Sequence, residues 1–368
     1  MRELRHNELS YLDRVNAHPR DFYVFFEEGP NIHRYHINGD TTGVISGTEF
    51  LHRVFPHFDG QKISANKLAK EGWLREPKYG YVADVWKPYF PPSPSNIRET
   101  ALYNEWRAST NDPSKVVEYI RWRIRQIDWQ FTPLFKEMQA VVLKNWEDNR
   151  DDAARRGTAT HLNNERYLNH LPYENESLEW KLFESFIKAR PWLKIWRTEM
   201  RIWSKQHLLA GSIDAIFIDT RTGKYYVYDW KRSKEIKFEG WCRCEPGQHS
   251  SAVCDGFGCA EATKDVPNCN YYHYSLQVWL YATILELHYG IKIEGCFLVI
   301  LHPDQKDFIE LAAVDLRPVV KAMMEKRALE VIPTLQLRRA NKRAREQPPL
   351  SPRKSKRVAE RDESPERK

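Results

Sequence analysis

A chain of 368 residues with 41% hydrophobic residues can bury a large core, and its longest apolar runs, such as FLVIL at 297–301, fall far short of the ~20 residues a membrane helix needs. The stretch MRELRHNELSYLDR has no apolar signal segment, and six cysteines are too few for a disulfide scaffold, so a soluble globular protein of a reducing compartment is expected. The formal charge of +7 resides between Gln336 and Lys368, where 12 Lys/Arg face 5 Asp/Glu; the other 335 residues carry 45 of each sign, which excludes a body that is basic throughout.

In chain order, RYHINGDTTGVIS predicts two short strands around the Asn38-Gly39-Asp40 turn. The proline-rich PYFPPSPSN interrupts regular structure, so an N-terminal mixed α/β lobe is expected over 1–112. Asp112-Pro113 and Thr132-Pro133 then open two amphipathic helices. A further helix is expected from Gly157 with a threonine cap, and SLEWKLFESFIKA supplies another. TEMRIW, SIDAIFID and YYVYDWK alternate as three successive strands, followed by the helix YSLQVWLYATILELHYG and the strand GCFLVIL. This order implies an α/β core over 113–335 with a central mixed sheet flanked by helices, a Cys-rich insertion at 240–270, and a disordered tail over 336–368.

Side chains two apart share one face of a strand, so YVYDWKRSK places Asp229 beside Lys231. Asp214 lies on the preceding strand, and the short TRTGK turn makes the two strands a hairpin in which the two carboxylates converge. A divalent cation removes their mutual repulsion by accepting oxygen ligands, and the lysine can then hold or deprotonate a water. Cation, water and positive charge at one spot suit phosphodiester hydrolysis.

The motifs Gly157-Thr158-x-x-His161, Gly211-Ser-Ile-Asp214, Asp229-Trp-Lys231 and Gln277-x-x-x-Tyr281 occur in the order of the PD-(D/E)XK nuclease superfamily. The chain resembles its RecB-like, lambda-exonuclease-like branch, above all the endonuclease-like proteins of large DNA viruses and eukaryotes, over roughly residues 35–335. That resemblance implies a restriction-endonuclease-like core. His161, Asp214 and Asp229 would then bind Mg2+ or Mn2+, with the Trp230 backbone carbonyl as a further ligand. Lys231 would position or activate the attacking water, Gln277 and Tyr281 would orient Lys231 or a DNA phosphate, and Glu199 would be an accessory carboxylate. DNA is the implied partner, in replication, recombination or repair, with an inactive DNA-binding adaptor as the alternative.

The insertion carries Cys242, Cys244, Cys254, Cys259 and Cys269 together with His249. The first four thiols suggest a structural Zn2+, although no Cys-x2-Cys knuckle is present, and an insertion of unpaired thiols is the competing reading. In the tail, the clusters Arg338–Arg345 and Arg353–Arg357 flank a proline-containing spacer in the manner of a bipartite signal for the nuclear-import machinery, with a merely solvated tail as the alternative. Trp203, Trp230 and Trp241 fall near the expected site, where they would stack on bases or fill the core.

Overall fold

The computed structural model describes residues 11–29, 32–75, 104, 113–240 and 255–346. Its centre is a mixed sheet built on β4 (Leu193–Ser204), β5 (Leu209–Asp219) and β6 (Lys224–Lys231), which pair antiparallel in succession. Gly223 closes the β5–β6 turn at φ +71°, a conformation that glycine adopts without a Cβ clash. The helix α7 (Asn270–Tyr289) then crosses over to β7 (Ile293–Ile300), which runs parallel to β6, and β8 (Ile309–Ala312) closes that edge. A parallel neighbour needs such a crossover, and Gly290 at φ +67° ends its helix.

Alternation along the strands sorts the residues between the two faces. Ala215, Phe217, Tyr228 and Trp230 pack against Trp180, Phe183 and Phe186 of the helix α6 (Leu178–Ala189), whose Ser177 cap accepts from Trp180 N at 3.1 Å. Ile216, Val227, Leu298 and Ile300 pack on the other side against Leu276, Val278, Leu280 and Ile284 of α7. Asp214, Asp229 and Lys231 share the parity of that second group, so the fold turns them toward α7.

The N-terminal residues are divided between this sheet and a second core. β1 (Val24–Gly29) and β2 (Ile32–Ile37) form an antiparallel hairpin, while β3 (Ile45–Ser46) joins the main sheet parallel to the start of β5. The two short strands expected around the Asn38-Gly39-Asp40 turn are β2 and β3, which lie in different sheets. Asn38 and Gly39 take φ of +54° and +76° there, and the chain leaves one sheet for the other. The helix α1 (Tyr11–Val15) lies against β4, and the helix α2 (Gly47–His52), capped by Ser46, buries Phe50 and Leu51 against the core of α7.

The second core lies among α3 (Gly60–Leu68), α4 (Pro113–Ile124) and the first part of α5 (Pro133–Leu168), where Leu68, Trp73, Tyr119, Trp129 and Met138 are buried together. No new helix begins at Gly157, because α5 runs unbroken for 36 residues from its Thr132 cap. Its middle is held by ion pairs such as Lys144–Asp148 at 2.8 Å and Arg156–Asp152 at 2.8 Å, and Gly157 is tolerated inside the turn. α8 (Arg317–Glu330) is followed by α9 (Ile332–Glu346), so residues 336–346, expected to be disordered, are helical. Leu335 is half-buried there, and Arg338 meets Asp40 at 3.0 Å. Among the described residues no helix is long and apolar enough to cross a membrane.

Candidate metal centre

Three strands bring three carboxylates into line. Thr198 pairs with Ala215 and Met200 with Ile213, so Glu199 stands across from Asp214; Ala215 pairs with Tyr228, so Asp229 follows across from Asp214 on the other side. Glu199 takes φ +44°, a left-handed conformation costly for a non-glycine residue in a strand, and regular pairing of β4 skips it. Its carboxylate accepts from Ser212 Oγ at 2.9 Å.

His161, on α5, completes the cluster. One ligand atom each from His161, Glu199 and Asp214 lies within 4.8 Å of the others. His161 Nδ1 is 3.5 Å from Asp214 Oδ2 and 3.9 Å from Glu199 Oε1. On the far side of the ring, Nε2 is 2.9 Å from the Trp230 carbonyl oxygen, which can only accept. That bond fixes the proton on Nε2, so a neutral His161 presents its Nδ1 lone pair to the carboxylates. The Trp230 carbonyl, expected as a ligand, thus orients the histidine here. Burial opposes charge on His161, but Asp214 and Glu199 outweigh it and raise its pKa well above the ordinary value.

Asp214 is held from both neighbours. Its Oδ2 accepts from Trp230 N at 2.8 Å. Burial favours its neutral form, yet the His161 and Lys231 charges and that backbone bond keep its pKa below the usual carboxylate range.

Asp229 and Lys231 form a second, more enclosed group. Asp229 is 3% exposed, and its Oδ2 is 2.8 Å from Lys231 Nζ but has no donor aligned with it as a hydrogen bond. Burial and the nearby Asp214 push the Asp229 carboxyl up against the pull of Lys231. Lys231 is raised: burial works against its charge, and Asp229 and Asp214 overcome it. The ammonium donates to Gln277 Oε1 at 3.3 Å and lies 4.8 Å from the centre of the Tyr274 ring, both on α7. A lysine held protonated in this way can position a water or neutralise developing charge, and is a poor proton acceptor.

Tyr281 lies one turn beyond Gln277 and is buried at 4% exposure. Its ring is clamped between two glycines, since a Cβ on either Gly47 or Gly211 would come within 2.5 Å of Cε1. This close approach explains the glycine of the Gly211-Ser-Ile-Asp214 motif. Gly47 is its counterpart on α2, which no sequence spacing announced.

Other expectations fall differently. Cys242, Cys244 and Cys254, with His249 and Trp241, lie outside the described residues. Cys259 is exposed with its backbone N donating to Val54 O at 2.9 Å, and Cys269 is buried. Residues 255–269 pack on α2's C-terminal turn, Thr263 Oγ1 also donating to Val54 O. Trp203 and Trp230 are 5% and 2% exposed, so both are core residues and neither offers a face to a base. Glu165, a turn beyond His161, is raised to about 7 by burial and by Glu199.

No family model matches the chain, and no curated protein matches it.

Proposed function

We propose that this protein is a divalent-metal-dependent deoxyribonuclease of the PD-(D/E)XK type, on a restriction-endonuclease-like core of the RecB-like branch, acting in DNA replication, recombination or repair. The observation that carries this reading is the row Glu199, Asp214 and Asp229 across three adjacent strands, with His161 at one end and Lys231 at the other. Carboxylate oxygens with one imidazole nitrogen suit Mg2+ or Mn2+. His161, Glu199 and Asp214 would hold the ion, and Asp229 would join them on leaving Lys231.

A bound cation supplies a more acidic water and neutralises charge on the phosphate. The chain's own residues do the rest. Glu199 and Asp214, with His161, would hold the cation, and so set where a phosphate can be drawn in. Lys231, steadied by Gln277, holds a water by hydrogen bonding and stabilises negative charge as that water's oxygen bonds to phosphorus. The water gives up a proton to solvent as the bond from phosphorus to the 3′ oxygen breaks, and the 3′ oxygen takes one up from solvent, leaving a 5′-phosphate and a 3′-hydroxyl.

A second reading, an inactive DNA-binding adaptor, draws on one observation: Asp229 is engaged by Lys231 and stands apart from the His161 cluster. The two readings separate when end-labelled linear and closed circular DNA are incubated with the protein in Mg2+, Mn2+ or chelator. Metal-dependent cleavage is expected, and binding without cleavage in either metal selects the adaptor. We also propose nuclear import through the basic clusters. Arg338 of the first cluster is tied to Asp40, so deletion of residues 347–368 alone, which spares α9, is the appropriate test. It should move a fluorescent fusion to the cytoplasm, and unchanged nuclear fluorescence would remove this role.

A further inference from the structure

Beside the carboxylate row lies a surface that the proposed chemistry does not use. Val24, Phe26 and Glu28 of β1 share one hairpin face with Ile37, Tyr35 and His33 of β2, by alternation and by the pairs Val24–Ile37, Phe26–Tyr35 and Glu28–His33. At the base of this face Val24 and Ile37 are buried in the core that contains Tyr281, and Tyr35 packs against that core. Further out the face leaves the protein: Phe26 and Tyr35 are half-buried and His33 is exposed. The rings form a continuous row, Phe26 to Tyr35 at 4.7 Å and Phe26 to His33 at 4.6 Å between centroids. The row begins near the site, since Tyr35 packs on the core that holds Tyr281 and β2 packs against β5.

Arg201 is the second component. It follows Glu199 by two residues on β4, is exposed, and makes no hydrogen bond or ion pair among the described residues. It pairs with Ser212, so it stands on the sheet face of Glu199 and Asp214, and the hairpin strand β1 packs against β4. Arg34, by contrast, is spent on Glu27 at 2.9 Å on the opposite face of the hairpin.

We propose that this face is a track for an unpaired nucleic-acid strand. Arg201 takes a backbone phosphate next to the carboxylate row, and Tyr35, Phe26 and His33 take the faces of successive bases leading away from it. Aromatic rings receive base faces, which a duplex keeps stacked on one another, so the surface selects strands whose bases are already splayed. At the inner end Arg201, exposed and in no ion pair among the described residues, offers a phosphate a positive charge beside carboxylates that would otherwise repel it. Glu28, opposite His33, marks the outer limit, because its carboxylate repels a phosphate there. The inference rests on the nuclease reading and narrows its substrate to single strands or ends with an unpaired segment.

The test is binding of the full-length protein in chelator, read by fluorescence anisotropy. The probes are a single-stranded oligonucleotide, an abasic strand with the same phosphates, and a blunt duplex. The base-bearing strand should bind about 10-fold more tightly than the abasic one, in keeping with ring–base stacking. Phe26→Ala and His33→Ala should each remove most of that difference while leaving abasic binding unchanged; His33 is exposed, so its variant keeps the fold. Arg201→Ala should weaken both strands alike and reduce the slope of log affinity against log salt by about 0.7, the loss of one phosphate contact on a single strand, and Arg201→Lys should restore it. Equal wild-type binding of base-bearing and abasic strands, or tighter binding of the duplex, overturns the track. Metal-dependent cleavage in that case leaves the nuclease reading intact, whereas a base preference without cleavage sinks the enzyme and keeps the track.

Discussion

The two halves of the candidate site differ in their balance of charge. His161 and Glu199 are 29% and 32% exposed at the side chain, and with Asp214 they gather two carboxylates around a single imidazole. Asp229 and Lys231, at 5% and 16%, pair one charge with one charge and are closed over by Gln277 and Tyr274. The open half has an excess of negative charge that a cation would relieve; the closed half is already neutral. A cation therefore belongs to the first half, and the second half responds to it.

Substitutions in the two halves should consequently fail in different ways, and this is the largest effect expected. Asp214→Asn removes the carboxylate shared by His161 and Trp230, so both Mn2+ binding and cleavage should disappear. Glu199→Gln should behave the same way, as its place in the cluster requires. Lys231→Ala leaves the open half intact, so Mn2+ should still bind while cleavage slows by about 100-fold or more, as loss of a positioned catalytic group does. Titration calorimetry with Mn2+, run beside single-turnover cleavage, checks the pair. A Lys231→Ala protein that loses metal as completely as Asp214→Asn would erase the distinction between the halves.

How much of this was legible in the sequence follows the same division. Strand alternation and a short turn were enough to bring Asp214 opposite Asp229 and to put Lys231 on their face, because register in a tight hairpin is local. Helix order and the mixed sheet were legible for the same reason. The place of Glu199 in the row was not legible, since its alignment depends on pairing between β4 and β5 with an irregularity near Ile195–Arg197, and its left-handed φ leaves no mark in a sequence. Gly47 and Tyr35 come from distant segments through tertiary packing, which has no period to read, whereas Tyr274, three residues before Gln277 on α7, follows helical spacing. The expected start of a helix at Gly157 failed because glycine weakens a helix by only ~1 kcal/mol, which packing at the two ends of α5 overcomes. Composition likewise underrated α9, where one ion pair and one half-buried leucine extend a helix into a stretch that looks fully solvated.

The electrostatic contrast also sets a pH dependence for the open half. Without a cation His161 is raised well above its usual value, so near neutral pH it carries a proton that a metal must displace. Mn2+ affinity should therefore climb with pH, by up to ~10-fold per unit where one proton is released, and level off once pH passes the raised value. The metal-free protein follows the opposite sign. A raised histidine contributes stability in full below its unfolded pKa of ~6.5, and that contribution is lost as pH rises through the folded value. Calorimetry at pH 6, 7 and 8 in buffers of different ionisation enthalpy measures the proton released. An affinity independent of pH would show that His161 is no part of the ion's site, and His161→Gln should flatten the dependence in any case.

The closed half depends on how Tyr281 is seated, which gives a test of intermediate size. Gly47→Ala and Gly211→Ala each place a methyl group where the Tyr281 ring already is, so the ring or α2 must shift, at a cost typical of overpacking, ~1–3 kcal/mol. Thermal denaturation should show both variants less stable. Cleavage at a temperature where they remain folded should fall too, because Gln277 moves with the ring. Stability lost with cleavage unchanged would detach Tyr281 from Lys231.

The smallest effect isolates the Tyr281 hydroxyl from its ring. The phenol interacts with Gln277 and Thr48, and burial raises its pKa, which favours the neutral hydroxyl. Gln277 in turn accepts from Lys231, so the hydroxyl acts on the ammonium only through one intervening amide. Tyr281→Phe keeps the ring between Gly47 and Gly211 and removes the hydroxyl's link to Gln277, worth ~1 kcal/mol for a typical hydrogen bond, along with the one to Thr48. Cleavage should fall only about 5-fold, with Mn2+ affinity and its pH dependence unchanged, because nothing in the open half touches this hydroxyl. A Tyr281→Phe protein as slow as Lys231→Ala would mean that the phenol itself contacts the reacting groups, and the boundary between the two halves would then run through α7.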